Sequence, residues 1–291
     1  MAKSEKLQIS EFDIELFRKL TQCYLSTNML LELLPTFGEK AKIRKKASLQ
    51  DRLKRLYDEG YINRDQRLSR GQGVNEYYYF LAKKGAAFFE ELEHAKPGRG
   101  ILRRLEMGSQ EHAFMVSEVL VKMDKDIFNI RNIATILGFI RENYFEIAIP
   151  AARKKDPVKS LKPDGTWFLQ INGQNHLIFL EVDLSTEPVS SVNPYRRTFR
   201  RKIEIYSDFR KYFKEHNLIN LFGRFPGYRV ITVCKSPERV ISLMDTARIM
   251  GKKDMFWFAN IEQIKNNNIL FDSIWRLPDG KTKSLFKGSP R

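Results

Sequence analysis

The sequence predicts an α+β domain followed by an α/β domain, and three observations carry that expectation. Leucines and aromatics recur at helical spacing through the first part of the chain, then give way to a glycine-rich turn between two strand-forming runs. A short Pro/Gly/Lys break follows at Lys96-Pro97-Gly98-Arg99-Gly100. Beyond it, apolar runs of strand length alternate with helical patterns, the order of an α/β sheet. The predicted boundaries are a first domain over 10–95, a linker over 96–107 and a second domain over 108–291 with a basic C-terminal tail. At 291 residues the chain is long for one core, which agrees.

The elements follow in order. Phe12, Leu16, Leu20 and Tyr24 lie four apart on one helical face that ends near Ser26. Ser26 is placed to cap a short second helix carrying Leu30, Leu31 and Leu34, closed by Pro35 and Gly38. A third helix has Leu49, Leu53 and Leu56 as its apolar stripe and stops at Asp58-Glu59-Gly60, with Gly60 as a left-handed cap. Tyr61-Ile62-Asn63-Arg64 reads as extended, residues 69–73 as a Gly-rich turn, and Tyr77-Tyr78-Tyr79-Phe80-Leu81 as a strand before a helix over 82–92. The run Ser48-Leu49-Gln50-Asp51-Arg52-Leu53-Lys54-Arg55-Leu56, with Glu59-Gly60-Tyr61-Ile62, resembles the recognition helix and first wing strand of winged-helix regulators. Tyr79-Phe80-Leu81-Ala82-Lys83-Lys84-Gly85 resembles the end of such a wing. That likeness implies a winged helix-turn-helix over about residues 10–95.

Charge points to a partner. Lys and Arg total 51 against 35 Asp and Glu, a net charge of +16, which attracts a polyanion through counterion release. Between Glu39 and Arg70, eleven basic residues face five acids. Lys46, Gln50 and Lys54 recur every four residues beside the leucine stripe, with Arg44 and Arg55 next to them. Gln and Arg on such a face can pair with base edges in a major groove. The candidate DNA-binding residues are therefore Arg44, Lys45, Lys46, Gln50, Lys54 and Arg55 on the helix, with Arg64, Arg67 and Arg70 on the hairpin. The expected partner is double-stranded DNA. A protein-binding helix of the same pattern stays open.

The second domain opens with a helix over 108–125 and an extended segment over 135–140, followed by a basic loop at Arg153-Lys154-Lys155-Asp156. Strands over 166–171 and 177–183 flank Asn172-Gly173, a favoured two-residue hairpin turn. With that pair at the tip, Asp164 faces Glu181; a four-residue loop would instead put Asp164 opposite Asp183. In both registers Glu181 and Asp183 share a face, and three carboxylates gather at one end of it. Acids so placed raise one another's pKa unless a cation sits among them, and oxygen ligands suit Mg²⁺ or Mn²⁺. A basic helix over 195–216, a strand over 228–234, a helix over 237–250 and a short strand over 255–258 complete the pattern. A polar turn at Pro278-Asp279-Gly280 follows, and the segment from Lys281 onward reads as loosely held.

Pro163-Asp164, a strand, then Glu181-Val182-Asp183 resemble the PD-(D/E)XK signature of restriction-endonuclease-like nucleases. Asp183 stands where that signature has its lysine, and Lys202 on the following helix is the candidate replacement. The likeness implies that Asp164 and Glu181 hold a metal with Lys202 assisting; the carboxylate cluster adds Asp183, so the candidate metal ligands are Asp164, Glu181 and Asp183 and the candidate catalytic residues these three with Lys202. The missing lysine favours binding of DNA without cleavage. Glu181-Val182-Asp183-Leu184-Ser185-Thr186-Glu187 and Lys202-Ile203-Glu204-Ile205-Tyr206, after Pro163-Asp164, resemble the replication-relaxation family of plasmid and integrative-element proteins. That resemblance implies a DNA-binding role in replication or relaxation, with other replication or mobilisation proteins as partners and a homodimer left open. A metal-dependent endonuclease or nickase and a transcriptional regulator with an oligomerisation domain are the alternatives. His112 shares a face with Val116, Val119, Leu120 and Met123 and reads as a packed histidine rather than a ligand. With no signal-peptide core, no membrane-length apolar run and only Cys23 and Cys234, the expectation is a cytoplasmic protein that does not engage a membrane.

Overall fold

In a computed structural model the chain is described over residues 7–40, 43, 45–67, 76–93, 107–141, 145–149, 159–191, 198–252 and 254–287. The expected turn at 69–73, the loop at 153–156 and the linker as far as residue 106 lie outside the described residues. The protein is a mixed α and β structure that divides into two compact units, Met1–Lys125 and Asp126–Arg291.

The first unit begins with α1 (Glu11–Leu20), whose start is fixed by Ser10 and Asp13 in a reciprocal capping box. A two-residue strand β1 (Leu25–Ser26) leads into α2 (Thr27–Leu33), and the Ser26 hydroxyl accepts from the Met29 amide at 3.3 Å, the cap expected from the sequence. After a 3-10 segment, α3 (Lys46–Asp58) buries Leu49, Leu53 and Leu56. Gly60 follows at φ 74°, a left-handed conformation that lets the chain turn straight into β2 (Ile62–Arg67). β2 and β3 (Glu76–Leu81) form an antiparallel pair, and β1 adds to the other edge of β3.

The helix α4 (Lys83–Glu93) closes the hairpin onto α1 by a tight approach. A Cβ built on Gly85 would lie 2.1 Å from the Tyr61 carbonyl oxygen, which also accepts from the Ala82 amide at 3.1 Å. The obstructing atom is backbone and cannot rotate away. Gly85→Ala should therefore cost about 3 kcal/mol by overpacking, read as a lower urea midpoint with an unchanged slope. An unaltered midpoint would mean that α4 withdraws without loss.

The long helix α5 (Met107–Asn129) departs from the expected division. The sequence places it at the head of the second domain, yet its contacts up to Lys125 lie in the first unit. Phe114 stacks on Tyr78 with centroids 3.7 Å apart, and the Ser117 hydroxyl accepts from the Tyr24 amide at 3.1 Å. Its apolar face was legible, but which sheet that face would meet was not. His112 on this helix is half-buried.

The second unit is built on a seven-stranded mixed sheet. In chain order, β4 (Ala134–Arg141) precedes a separate two-stranded pair, β5 (Ile147–Ile149) and β6 (Lys159–Leu161). β7 (Gly165–Ile171) and β8 (Gln174–Asp183) form the central hairpin. Then come α6 (Phe199–Phe209), a short α7 (Asn217–Asn220), β9 (Tyr228–Cys234), α8 (Pro237–Ile249), β10 (Phe256–Asn260) and α9 (Ile261–Asn266). The small strands β11 (Trp275–Arg276) and β12 (Thr282–Lys283) end the sheet. β4, β7 and β8 run antiparallel in turn, whereas β9 lies parallel to β8 and β10 parallel to β9.

Helices α6 and α8 cover one face of this sheet. Their Ile203, Tyr206, Phe209, Val240, Leu243 and Ala247 join Phe168, Leu177, Phe179 and Val230 in a single buried cluster. Two expectations are corrected here. The basic helix is shorter than residues 195–216: the Thr198 hydroxyl caps it against the Arg201 amide at 3.2 Å, and it ends at Phe209 in a turn. The C-terminal segment is not loose at its start, for Leu285 and Phe286 are buried and the Phe286 amide bonds the Leu270 carbonyl at 2.9 Å.

Candidate functional site

The second unit's carboxylates are positioned by the β7–β8 hairpin. Asn172 and Gly173 both adopt positive φ, 50° and 74°, as a tight two-residue turn whose twist matches its strands requires. The turn sets the register from Ile171 opposite Gln174 down to Gly165 opposite Leu180. Asp164 continues that line beside Glu181, and its amide bonds the Leu180 carbonyl at 3.0 Å. Of the two registers the sequence allowed, the structure shows the two-residue one.

Glu181 is 2 % exposed, and each of its oxygens has a partner. Tyr206 of α6 donates its hydroxyl to Oε1 at 2.6 Å, and Lys202, one turn earlier on the same helix, brings Nζ to 2.9 Å from Oε2. Lys202 also lies 3.0 Å from Glu187. Asp164 accepts the Val182 amide on Oδ2 at 2.6 Å. One ammonium thus serves two carboxylates, Glu181 and Glu187, with the Asp164 charge nearby.

The electrostatics follow from that shortage. Burial above all, with the neighbouring Asp164 charge, pushes the Glu181 carboxyl up to about 7, although Lys202 and the Tyr206 hydroxyl pull it down. Burial opposes the charge on Lys202, but Glu181, Asp164 and Glu187 outweigh it and hold the ammonium above its ordinary range. Burial and the Glu181 charge likewise raise Tyr206. Near neutral pH the site is poised to take up or release one proton.

Asp183 does not join this group. Arg239 of α8 binds it with both arms of the guanidinium, Nε to Oδ1 at 2.8 Å and Nη2 to Oδ2 at 2.9 Å. The Ser185 amide adds a bond to Oδ1 at 2.7 Å, and Arg239 also reaches the Glu187 carbonyl at 2.6 Å. Of the three expected carboxylates, the structure sets Asp164 and Glu181 side by side and engages Asp183 with Arg239. Asp183 ties the end of β8 to α8, leaving Asp164 and Glu181 with Lys202. Among the described residues no group of three or more His, Cys, Asp or Glu side chains is arranged to hold a metal ion. An ion held by Asp164 and Glu181 would have to share Glu181 with the ammonium and the phenol that it already holds.

Three residues of this site escaped the sequence reading. Tyr206 carried a signal, since it follows Lys202 by four residues and must share its helix face. Glu187 stood within a motif already singled out. Arg239 carried none, because its partner is distant in sequence and the pairing depends on how α8 docks.

The first unit presents the second candidate surface. Lys45, the N-cap of α3, and Lys46, Gln50, Lys54 and Arg55 within it are all exposed. Lys46 donates to the Asn28 side chain at 3.0 Å; among the described residues Lys45, Lys54 and Arg55 make no ion pair with an acid. Arg52, in the middle of the same helix, is different: it pairs with Asp13, which is wholly buried, and with the Gln8 carbonyl at 2.7 Å. Arg64 is exposed on β2. Arg44 and Arg70 lie outside the described residues, as does the side chain of Arg67.

No described helix is long and apolar enough to cross a membrane. A family model described as replication-relaxation matches residues 18–222. No curated protein and no solved structure matches the chain.

Proposed function

Since the chain belongs to the replication-relaxation family, we propose that it binds duplex DNA during replication or relaxation of a plasmid or mobile element, with the first unit as a winged helix. The observation that carries this reading is the α3 surface. Lys45, Lys46, Gln50, Lys54 and Arg55 are all exposed, at the start of and along a helix that is anchored by three buried leucines. Such a helix meets a phosphate-lined groove with its charges unspent. The basic residues of the second-unit site are, by contrast, engaged by acids of the same unit: Lys202 by Glu181 and Glu187, Arg239 by Asp183.

The second unit, in this reading, has a restriction-endonuclease-like core that no longer cuts. The antiparallel β4, β7 and β8, followed by α6 and a parallel β9, support that assignment. The diversion of Asp183 to Arg239 supports the loss of cleavage. The alternative is a metal-dependent nickase with Mg²⁺ or Mn²⁺ on Asp164 and Glu181, favoured by the arrival of Lys202 beside Glu181.

One experiment separates the two. Supercoiled plasmid incubated with the protein and Mn²⁺ or Mg²⁺ should be retarded on a gel and stay supercoiled. Nicking that disappears in Glu181→Ala, with retardation retained, would establish the nickase instead. Failure to retard the plasmid at low salt would remove the DNA-binding reading. Footprinting that finds the protein only at its own promoter would make it a transcriptional regulator.

A further inference from the structure

Where α3 ends and the β2–β3 hairpin begins, one arginine is held in a way that its neighbours are not. Arg64 stands opposite Tyr79 in the hairpin, which places Tyr77 diagonally beside it on the same face. Tyr57, in the last turn of α3, comes from the other side. The Arg64 guanidinium carbon lies 4.4 Å from the Tyr57 ring centroid and 4.5 Å from that of Tyr77. Both rings are more than a third exposed, at 37 % and 38 %.

Among the described residues Arg64 has no carboxylate partner and makes no hydrogen bond. The acids nearest in sequence are engaged elsewhere. Asp65 accepts the Gln66 amide and faces Gln110, while Glu59 lies 3.6 Å from Lys84. The two tyrosines interact with the cation through their faces. The five N–H donors all lie in the guanidinium plane, so what remains for bonding is the edge. An edge held in one orientation suits two oxygens of a single phosphate, and less rotamer freedom is lost when they bind.

We propose that Tyr57, Arg64 and Tyr77 form a preformed clamp for one backbone phosphate of duplex DNA. The inference rests on the reading that α3 enters the major groove. From Lys46 to Tyr57 the helix advances roughly 17 Å, more than the roughly 12 Å width of that groove. When the middle of α3 reads the groove, a group at its C-terminal end falls on the flanking sugar–phosphate chain. The clamp supplies register and affinity, and it is indifferent to sequence.

The test is fluorescence anisotropy of the full chain with two labelled duplexes of unrelated mixed sequence, over a salt series. Arg64→Ala should weaken binding about tenfold on both duplexes and flatten the salt dependence by about one ion. Arg64→Lys should keep the wild-type slope but recover only part of the affinity, because an ammonium has no planar fork. Tyr57→Leu with Tyr77→Leu should keep the slope and lose about threefold, since the charge remains and only its fixing is gone. Thermal melts of each variant identify those that fold as the wild type does. Wild-type affinity and slope in Arg64→Ala, while charge reversal on α3 abolishes binding, would overturn the clamp and leave the duplex reading standing. Loss confined to one of the two duplexes would also overturn it, as the mark of a base contact. No duplex binding by the wild type would sink both.

Discussion

Reversing three charges on one helix, Lys46→Glu, Lys54→Glu and Arg55→Glu, should weaken duplex binding by well over tenfold. All three side chains are exposed, and none is engaged by an acid among the described residues. Each reversal both removes an attraction to phosphate and adds a repulsion, so the loss should be larger still at low salt. The fold should survive, because the buried leucine stripe of α3 is untouched. Arg52 is kept out of the set on purpose: it neutralises the buried Asp13, and changing it would confuse binding with stability. Unchanged affinity in a folded triple variant would remove α3 as the main DNA surface.

The second large effect concerns stability. Lys202→Met should cost about 3–5 kcal/mol at pH 8, because Glu181 would then be buried beside Asp164 without the ammonium that pairs with it. The pH dependence has a definite sign. Glu181 has a folded pKa raised from 4.5 to about 7, so its neutral form favours the folded state. Its contribution is fully present below pH 4.5 and is lost as pH rises through about 7. Without Lys202 the carboxyl should hold its proton to still higher pH, and the cost of the substitution should shrink toward pH 5. Glu181→Gln in the Lys202→Met background should restore much of the lost stability at pH 8. Chemical denaturation of the two variants and the wild type at pH 5 and pH 8 checks each point. A Lys202→Met protein as stable as the wild type at pH 8 would mean that the ammonium does not neutralise Glu181.

The hairpin was legible, and its register narrowed to two, because the signal is local. Asn172-Gly173 accepts the positive φ angles of a tight turn, and everything down the two strands follows from it. The α3 face was legible for the same reason, since a single period sorted its leucines from its cations. Pairings across many residues were not legible. Asp13 with Arg52 and Asp183 with Arg239 each join elements whose docking no local pattern sets. The β5–β6 pair was invisible too, being two strands of three residues with no alternation to read. By contrast, α9 was within reach: Asn260 and Gln263 make a reciprocal cap with the spacing of a capping box.

The two-residue hairpin tip has a consequence for how this chain can change in length. A single residue inserted at Asn172-Gly173, if β7 held its place and the turn stayed two residues long, would shift β8 by one position. Side chains alternate across a strand, so Glu181 would turn away from Tyr206 and Lys202 while Leu180 took its place beside them. Phe179 and Leu177 would leave the α6 side of the sheet in the same step. Two inserted residues would be absorbed as a longer loop with every face preserved. Related chains with one extra residue at this tip should therefore carry a three-residue loop, or a compensating bulge further along β8.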